Sequence, residues 1–193
     1  MPPKAKFTRE QITEAALDIV REEGLDNLTA RALGQRLGSS ACPIFTVFEN
    51  MEEVQQAVLR AARGIYKQYV DRGLSEKIAF KGVGTQYILF AVNEPRLFQI
   101  LFMSEHGSVP DLDNVLPMID ESYGRILFSI TTAYGMREEM AERLYRHLWI
   151  YTHGIATLCA TRMCRFSGEE ISNMMTEVCK SLLKYMGEGD GND

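Results

Sequence analysis

No stretch of this sequence alternates apolar and polar residues at period two, so a sheet has nothing to form from. It contains no His-Glu-x-x-His motif, no phosphate-binding glycine loop and no Gly-x-Ser-x-Gly elbow. The motif-borne forms of metal, nucleotide and nucleophile chemistry therefore have no anchor, and neither a catalytic residue nor a cofactor is expected. His106 with Asp111 or Asp113 could form an acid–base pair in a loop, but spacing alone does not bring them together. Four cysteines, Cys42, Cys159, Cys164 and Cys179, stand at irregular spacing. Cys159 and Cys164 are five apart on a helical stretch and point to different faces, so no zinc site follows. Apolar runs such as Tyr87 to Val92 are far too short to span a bilayer, and no membrane partner is expected. The opening MPPKAKFTRE has no apolar leader segment, so the expectation is a cytoplasmic chain with free thiols.

What is present is a helix-forming sequence with ample apolar content. Apolar residues make up 46% of 193, enough for a sizeable core, and the net charge of −5 argues against bulk coating of nucleic acid. Residues 1–50 hold six cationic and seven acidic side chains, so any DNA contact there rests on placement. The periodicity predicts an all-α fold. A first helix starts at Thr8, with Gln11 completing a capping box, and stops at Gly24. Its stripe is Ile12, Ala15, Ala16, Ile19 and Val20.

The stretch from Leu28 to Val54 organises the rest. Thr29 is placed to cap a short helix that Gly38 stops, and Ser39 or Ser40 to cap a second carrying Pro43 in its first turn. Ile44, Phe45 and Phe48 supply apolar anchors, and Asn50 can cap a long helix over about Met51 to Val70. Two short helices separated by such a turn match a helix-turn-helix, whose second helix enters a DNA major groove. The competing reading is a packing corner of a helical bundle.

Further helices are expected over Ser75 to Val92, after Pro95 to Phe102, over Leu112 to Tyr134 with a kink near Pro117, over Arg137 to about Phe166, and over Glu169 to Met186. Gly82 and Gly84 interrupt the first of these, either for close packing or to open a small cavity. The domain expectation is a helix-turn-helix unit over 1–54, a helical body over 55–187 and an acidic tail over 188–193, with the long helix shared between the first two. The broad apolar arcs of the last two helices fit either a closed monomer or an intersubunit four-helix bundle. The dimer is preferred, with Tyr151, Ile155, Leu158, Arg162, Ile171, Met175, Val178 and Leu182 as the interface candidates.

With these residues in view, the chain resembles the TetR-type transcriptional regulators. The resemblance is carried by the first helix and by LTARALGQRLGSSACPIFTVFENMEEV, at Leu28-Thr29, Ala32-Leu33-Gly34, Gly38-Ser39-Ser40, Phe45, Phe48, Met51 and Val54. It covers about a quarter of the chain. Trp149 with His153-Gly154 resembles a Trp-His-Gly signature of a subset of the family. Phe45 stands where the family has Tyr and Met51 where it has Lys, and both substitutions remove a group able to contact phosphate.

The resemblance implies a homodimer whose heads bind a palindromic double-stranded operator, usually to repress transcription, and whose body binds a small effector that releases DNA. The alternative is a helical dimer that has lost DNA binding and acts through protein partners. Candidates for DNA contact are Lys4, Lys6, Arg9, Thr29, Arg31, Gln35, Ser39, Ser40, Cys42 and Thr46. Cys42 doubles as a possible thiol switch. Effector candidates are Tyr87, Phe98, Phe102, Met103, Tyr123, Phe128, His147 and Trp149, because a pocket between helices needs apolar walls with a few polar handles.

Overall fold

A computed structural model describes residues 5–105 and 109–189; Lys4, His106 and residues 190–193 lie outside the described residues. Among the described residues the backbone forms nine α-helices and no strand. These are α1 (Arg9–Glu23), α2 (Ala30–Arg36), α3 (Met51–Leu74), α4 (Ala79–Asn93), α5 (Pro95–Phe102), α6 (Val115–Ile119), α7 (Tyr123–Tyr134), α8 (Glu138–Ala160) and α9 (Gly168–Gly189). Short 3₁₀ turns occupy Leu25–Asn27 and Ile44–Thr46. No helix among these residues is long and apolar enough to cross a membrane.

Capping chemistry sets many of the ends. Thr8 and Gln11 form the expected reciprocal box, with backbone N–H to side-chain oxygen distances of 2.9 and 3.2 Å. Thr29 Oγ1 accepts from the Ala32 N–H at 3.1 Å, and Asn50 Oδ1 from the Glu53 N–H at 2.9 Å. Several expected helices end elsewhere. α8 stops at Ala160 because Arg162 adopts φ +58° and the Met163 and Cys164 amides both turn back to the Leu158 carbonyl. Ser167 and Glu170 then box the start of α9. The segment expected to kink near Pro117 divides at Asp120, whose Oδ1 accepts from the Ser122 N–H at 2.8 Å and whose Oδ2 accepts from the Tyr66 hydroxyl at 2.9 Å. α3 continues past Gly73 to Leu74, and α4 begins only at Ala79.

The chain groups into two compact units: residues 1–65 with 94–104, and 66–93 with 105–193. In the first unit α1 packs on α2 and on α5. Its core holds Ile12, Ala16, Ile19, Val20, Leu28, Leu33, Ile44 and Phe48, joined by Leu97 and Phe98 from α5. Arg21 clamps Glu94 with two hydrogen bonds of 2.8 and 2.9 Å, which fixes the entry of α5. In the second unit α8 is central, flanked by α4, α7 and α9. Its core includes Tyr66, Ile88, Phe90, Ile126, Ile130, Leu144 and Ala156. Thr13, Thr152 and Thr176 turn their hydroxyls back to the carbonyl four residues earlier, so they interrupt no helix.

Candidate functional site

The segment between α2 and α3 is the first site. Gly38 takes φ +62° after α2, and the Ser39 N–H returns to the Gly34 carbonyl at 2.9 Å. Gly34 is buried, and a Cβ there would stand 3.0 Å from the Ala41 nitrogen and 3.1 Å from the Ser39 carbonyl oxygen. Its missing side chain is what lets the turn lie against α2. The second short helix is tighter than expected. The Phe45, Thr46 and Val47 amides bond three residues back, and Thr46 Oγ1 donates to the Pro43 carbonyl at 2.7 Å. The result is a 3₁₀ turn in place of an α-helix. Ile44 and Phe48 are buried by it, whereas Phe45, read as an anchor, is 44% exposed.

The candidate DNA contacts divide by occupation. Thr29, Arg31, Gln35, Ser40, Cys42 and Thr46 are exposed. Among the described residues Arg31 and Gln35 make no ion pair or side-chain hydrogen bond. Lys6 Nζ donates to Ser39 Oγ at 3.0 Å, which joins two candidates to each other. Arg9 is turned inward: its guanidinium carbon lies 4.2 Å above the Phe48 ring, and Nη2 meets Glu53 Oε1 at 2.6 Å. That geometry makes Arg9 part of the packing of this unit. Arg36 is likewise engaged, by Glu22.

The second site is a cavity of about 340 Å³ within the second unit, in the lower range of small-molecule pockets. Tyr66, Phe80, Val83, Tyr87, Tyr145, Leu148, Trp149, Met175 and Leu183 form its apolar walls, and Gly84 opens space where α4 faces Met175. Lys81, Thr152, Thr176, Cys179 and Lys180 add the polar part of the lining.

Two of the eight effector candidates, Tyr87 and Trp149, line this cavity. Tyr123 stands behind it: its ring stacks on Tyr145 at 5.8 Å and its hydroxyl donates to Glu142 at 2.9 Å, and burial with that carboxylate pushes its pKa up to about 12. His147 is exposed, because two positions along a helix turn it about 200° from Trp149. Phe128 is 71% exposed on α7. Phe98, Phe102 and Met103 belong to the first unit, where the Phe98 and Phe102 rings meet at 5.2 Å. Sequence reasoning missed Tyr145, Thr152 and the two lysines. Tyr145 shares the inward stripe with Leu148 and Thr152, so the α8 pattern alone could have found it.

A polar chain runs along the cavity wall. The Tyr87 hydroxyl meets His153 Nδ1 at 2.9 Å, and the His153 ring stacks on the Trp149 indole with centroids 5.2 Å apart. Burial holds the Tyr87 phenol well above its ordinary pKa and the His153 imidazole below its own. Neutral His153 is the form able to accept the Tyr87 proton, so the folded chain resists a proton that the unfolded chain takes. Stability is complete above about pH 6.5, the unfolded value, and falls as pH drops through the lower folded value. Urea unfolding at pH 7.5 and 5.5 is expected to show a larger acid loss for the native chain than for His153→Gln. Equal losses in the two proteins would remove this role for His153.

The interface candidates also separate. Ile155, Ile171 and Met175 are buried inside a single chain, so a partner surface cannot reach them. Tyr151, Leu158, Val178 and Leu182 are half-buried, and Arg162 is exposed. Ile150, at 49% exposure, joins Gly154 on the outward side of α8, where a Cβ on the glycine would meet nothing within 4 Å. The four cysteines are free, and no group of three metal-binding side chains occurs among the described residues.

The chain thus combines a short helical corner, α2 followed by a 3₁₀ turn, with a second helical unit that holds an apolar cavity. The description Tetracyclin repressor-like, C-terminal domain, matches residues 80–181, over half of the chain. The chain belongs to the TetR family of transcriptional regulators. An uncharacterised HTH-type transcriptional regulator of Mycobacterium tuberculosis is 25% identical over 158 residues, spanning 80% of this chain and 71% of that one. Two solved structures share the fold at 17% identity. One is a transcriptional regulator from Rhodococcus sp. Rha1, with a TM-score of 0.62 over 91% of this chain and 95% of that chain. The other is a TetR variant from Acinetobacter baumannii AYE in complex with minocycline, with a TM-score of 0.58 over 95% and 98%.

Proposed function

We propose that the chain is a repressor that binds a palindromic operator as a homodimer and releases it when a small molecule occupies the cavity of the second unit. The single observation that carries this reading is that cavity, apolar and large enough for a ligand, in a chain of the TetR family. The minocycline complex of the Acinetobacter relative supports it by analogy. For DNA, the exposed row of Arg31, Gln35, Ser40, Cys42 and Thr46 is assigned to the duplex, with Arg31 on phosphate. For the dimer, the outward side of α8 at Ile150, Tyr151, Gly154 and Leu158 is assigned to the partner copy, because two helices approach closely where a side chain is absent. The compartment assigned is the cytoplasm.

Fluorescence anisotropy with a duplex from the region upstream of the chain's own coding sequence tests the reading. A specific complex with two-fold symmetric protection is expected. Arg31→Ala should weaken binding to every duplex and lower the salt slope by about one phosphate. An affinity that is the same for a scrambled duplex at low salt would sink the operator assignment.

A further inference from the structure

The cavity is lined by two cations and no acid: the charged groups on its wall are Lys81 of α4 and Lys180 of α9. Lys81 Nζ donates to Ser172 Oγ of α9 at 3.1 Å, so its head lies toward the helix that carries Lys180. Both lysines are exposed, which sets their stems along the wall and their ammonium groups at the mouth. Two like charges here disfavour a cationic ligand and favour an anion. Asp120, the acid behind the wall, already accepts hydrogen bonds on both oxygens, from Ser122 and Tyr66.

The interior adds a second, independent demand. Tyr145 is 4% exposed and lines the cavity, with its ring held edge-on by Phe80 at 5.7 Å and stacked by Tyr123 at 5.8 Å. Among the described residues its hydroxyl has no hydrogen-bond partner, whereas those of Tyr66 and Tyr87 are taken up by Asp120 and His153. That hydroxyl is not among the described buried polar atoms without a partner, so water reaches it from the cavity, and a ligand that displaces this water must offer an acceptor in its place.

We propose that the ligand is an apolar monocarboxylate with a second, uncharged oxygen in its body. Its carboxylate meets Lys81 and Lys180 at the mouth, its hydrocarbon lies along the walls, and its second oxygen accepts from Tyr145. This rests on the reading of the cavity as the effector site.

Trp149 is the sole tryptophan of the chain and lines the cavity, so its fluorescence reports occupancy directly. The full chain is titrated with decanoate, ω-hydroxydecanoate and decanol, with calorimetry as a second readout and operator affinity measured in parallel. Decanoate is expected to bind at least about tenfold tighter than decanol, the scale of one charge-assisted contact. Lys81→Met with Lys180→Met should bring decanoate within about twofold of decanol while leaving decanol unchanged, which also certifies the fold. Tyr145→Phe should weaken ω-hydroxydecanoate about fivefold and spare decanoate. Equal binding of decanoate and decanol by the native chain overturns the carboxylate while leaving the cavity a ligand site. Equal effects of Tyr145→Phe on both acids overturn the second oxygen. Absence of any response to all three compounds overturns the proposal. Lysine-dependent decanoate binding with undiminished operator affinity upholds the proposal and overturns the effector reading alone.

Discussion

Gly82→Ala is expected to destabilise the helical body by about 2–3 kcal/mol and to lower its melting temperature by roughly 5–10 °C. A Cβ on Gly82 would stand 2.3 Å from the Gly73 carbonyl oxygen, and one on Gly73 would stand 2.6 Å from the Val83 backbone. Backbone therefore touches backbone where the end of α3 meets the start of α4. Neither atom can yield as a flexible side chain does, so the two helices must move apart. The alanine regains about 1 kcal/mol of helix propensity, well short of the strain. The displaced segment carries Ile78, Phe80, Lys81, Val83 and Gly84 of the cavity wall, so ligand affinity should fall with stability. Gly64→Ala is the control: a Cβ there meets nothing within 4 Å, and the change should stabilise by about 0.5–1 kcal/mol. Thermal unfolding of both variants followed by circular dichroism reads the contrast. Equal behaviour of the two would mean that the Gly73–Gly82 crossing is not tight in solution.

Phe48→Ala is expected to cost about 3–5 kcal/mol in the first unit and to abolish specific operator binding. The ring is 1% exposed, packs in the core with Ile44, and carries the Arg9 guanidinium on its outer face. Truncation leaves a cavity and removes the platform on which Arg9 reaches Glu53. A loss of that size is a large fraction of the whole stability of a domain. Phe45→Ala, three residues away and exposed, should change stability by less than about 1 kcal/mol. Circular dichroism and anisotropy on the two variants separate them. Comparable losses would contradict the inward orientation of Phe48 alone.

The contrast between Phe45 and Phe48 marks how far the sequence reading reaches. Caps are local, so Thr8, Thr29 and Asn50 declared themselves by residue type and spacing. The all-helical architecture followed from the absence of period two, and the family resemblance from the spacing of Leu28 to Val54. Orientation within a three-residue 3₁₀ turn was not legible, because an α-helical wheel assigns Phe45 a direction that the tighter winding does not give it. Three effector candidates, Phe98, Phe102 and Met103, were misplaced for a different reason. Phe98 and Phe102 have the composition of a pocket wall, and only the long-range pairing of α5 with α1 assigns them to the other unit. The function of glycine was ambiguous in the same way. Close packing and an open cavity were both written into Gly82 and Gly84, and the structure uses Gly82 for the first and Gly84 for the second.

The clamp between Arg21 and Glu94 has a consequence for biosynthesis. Residues 94–104 complete the first unit, so its hydrophobic interior is not closed when the first 65 residues have left the ribosome. At about 5–20 residues per second, the nascent chain carries an unfinished head for several seconds, until Leu97, Phe98 and Leu101 emerge. A gene fragment that stops after the helix-turn-helix encodes every residue assigned to the duplex and lacks the piece that holds them in place. Order of synthesis then decides when the first unit closes its core.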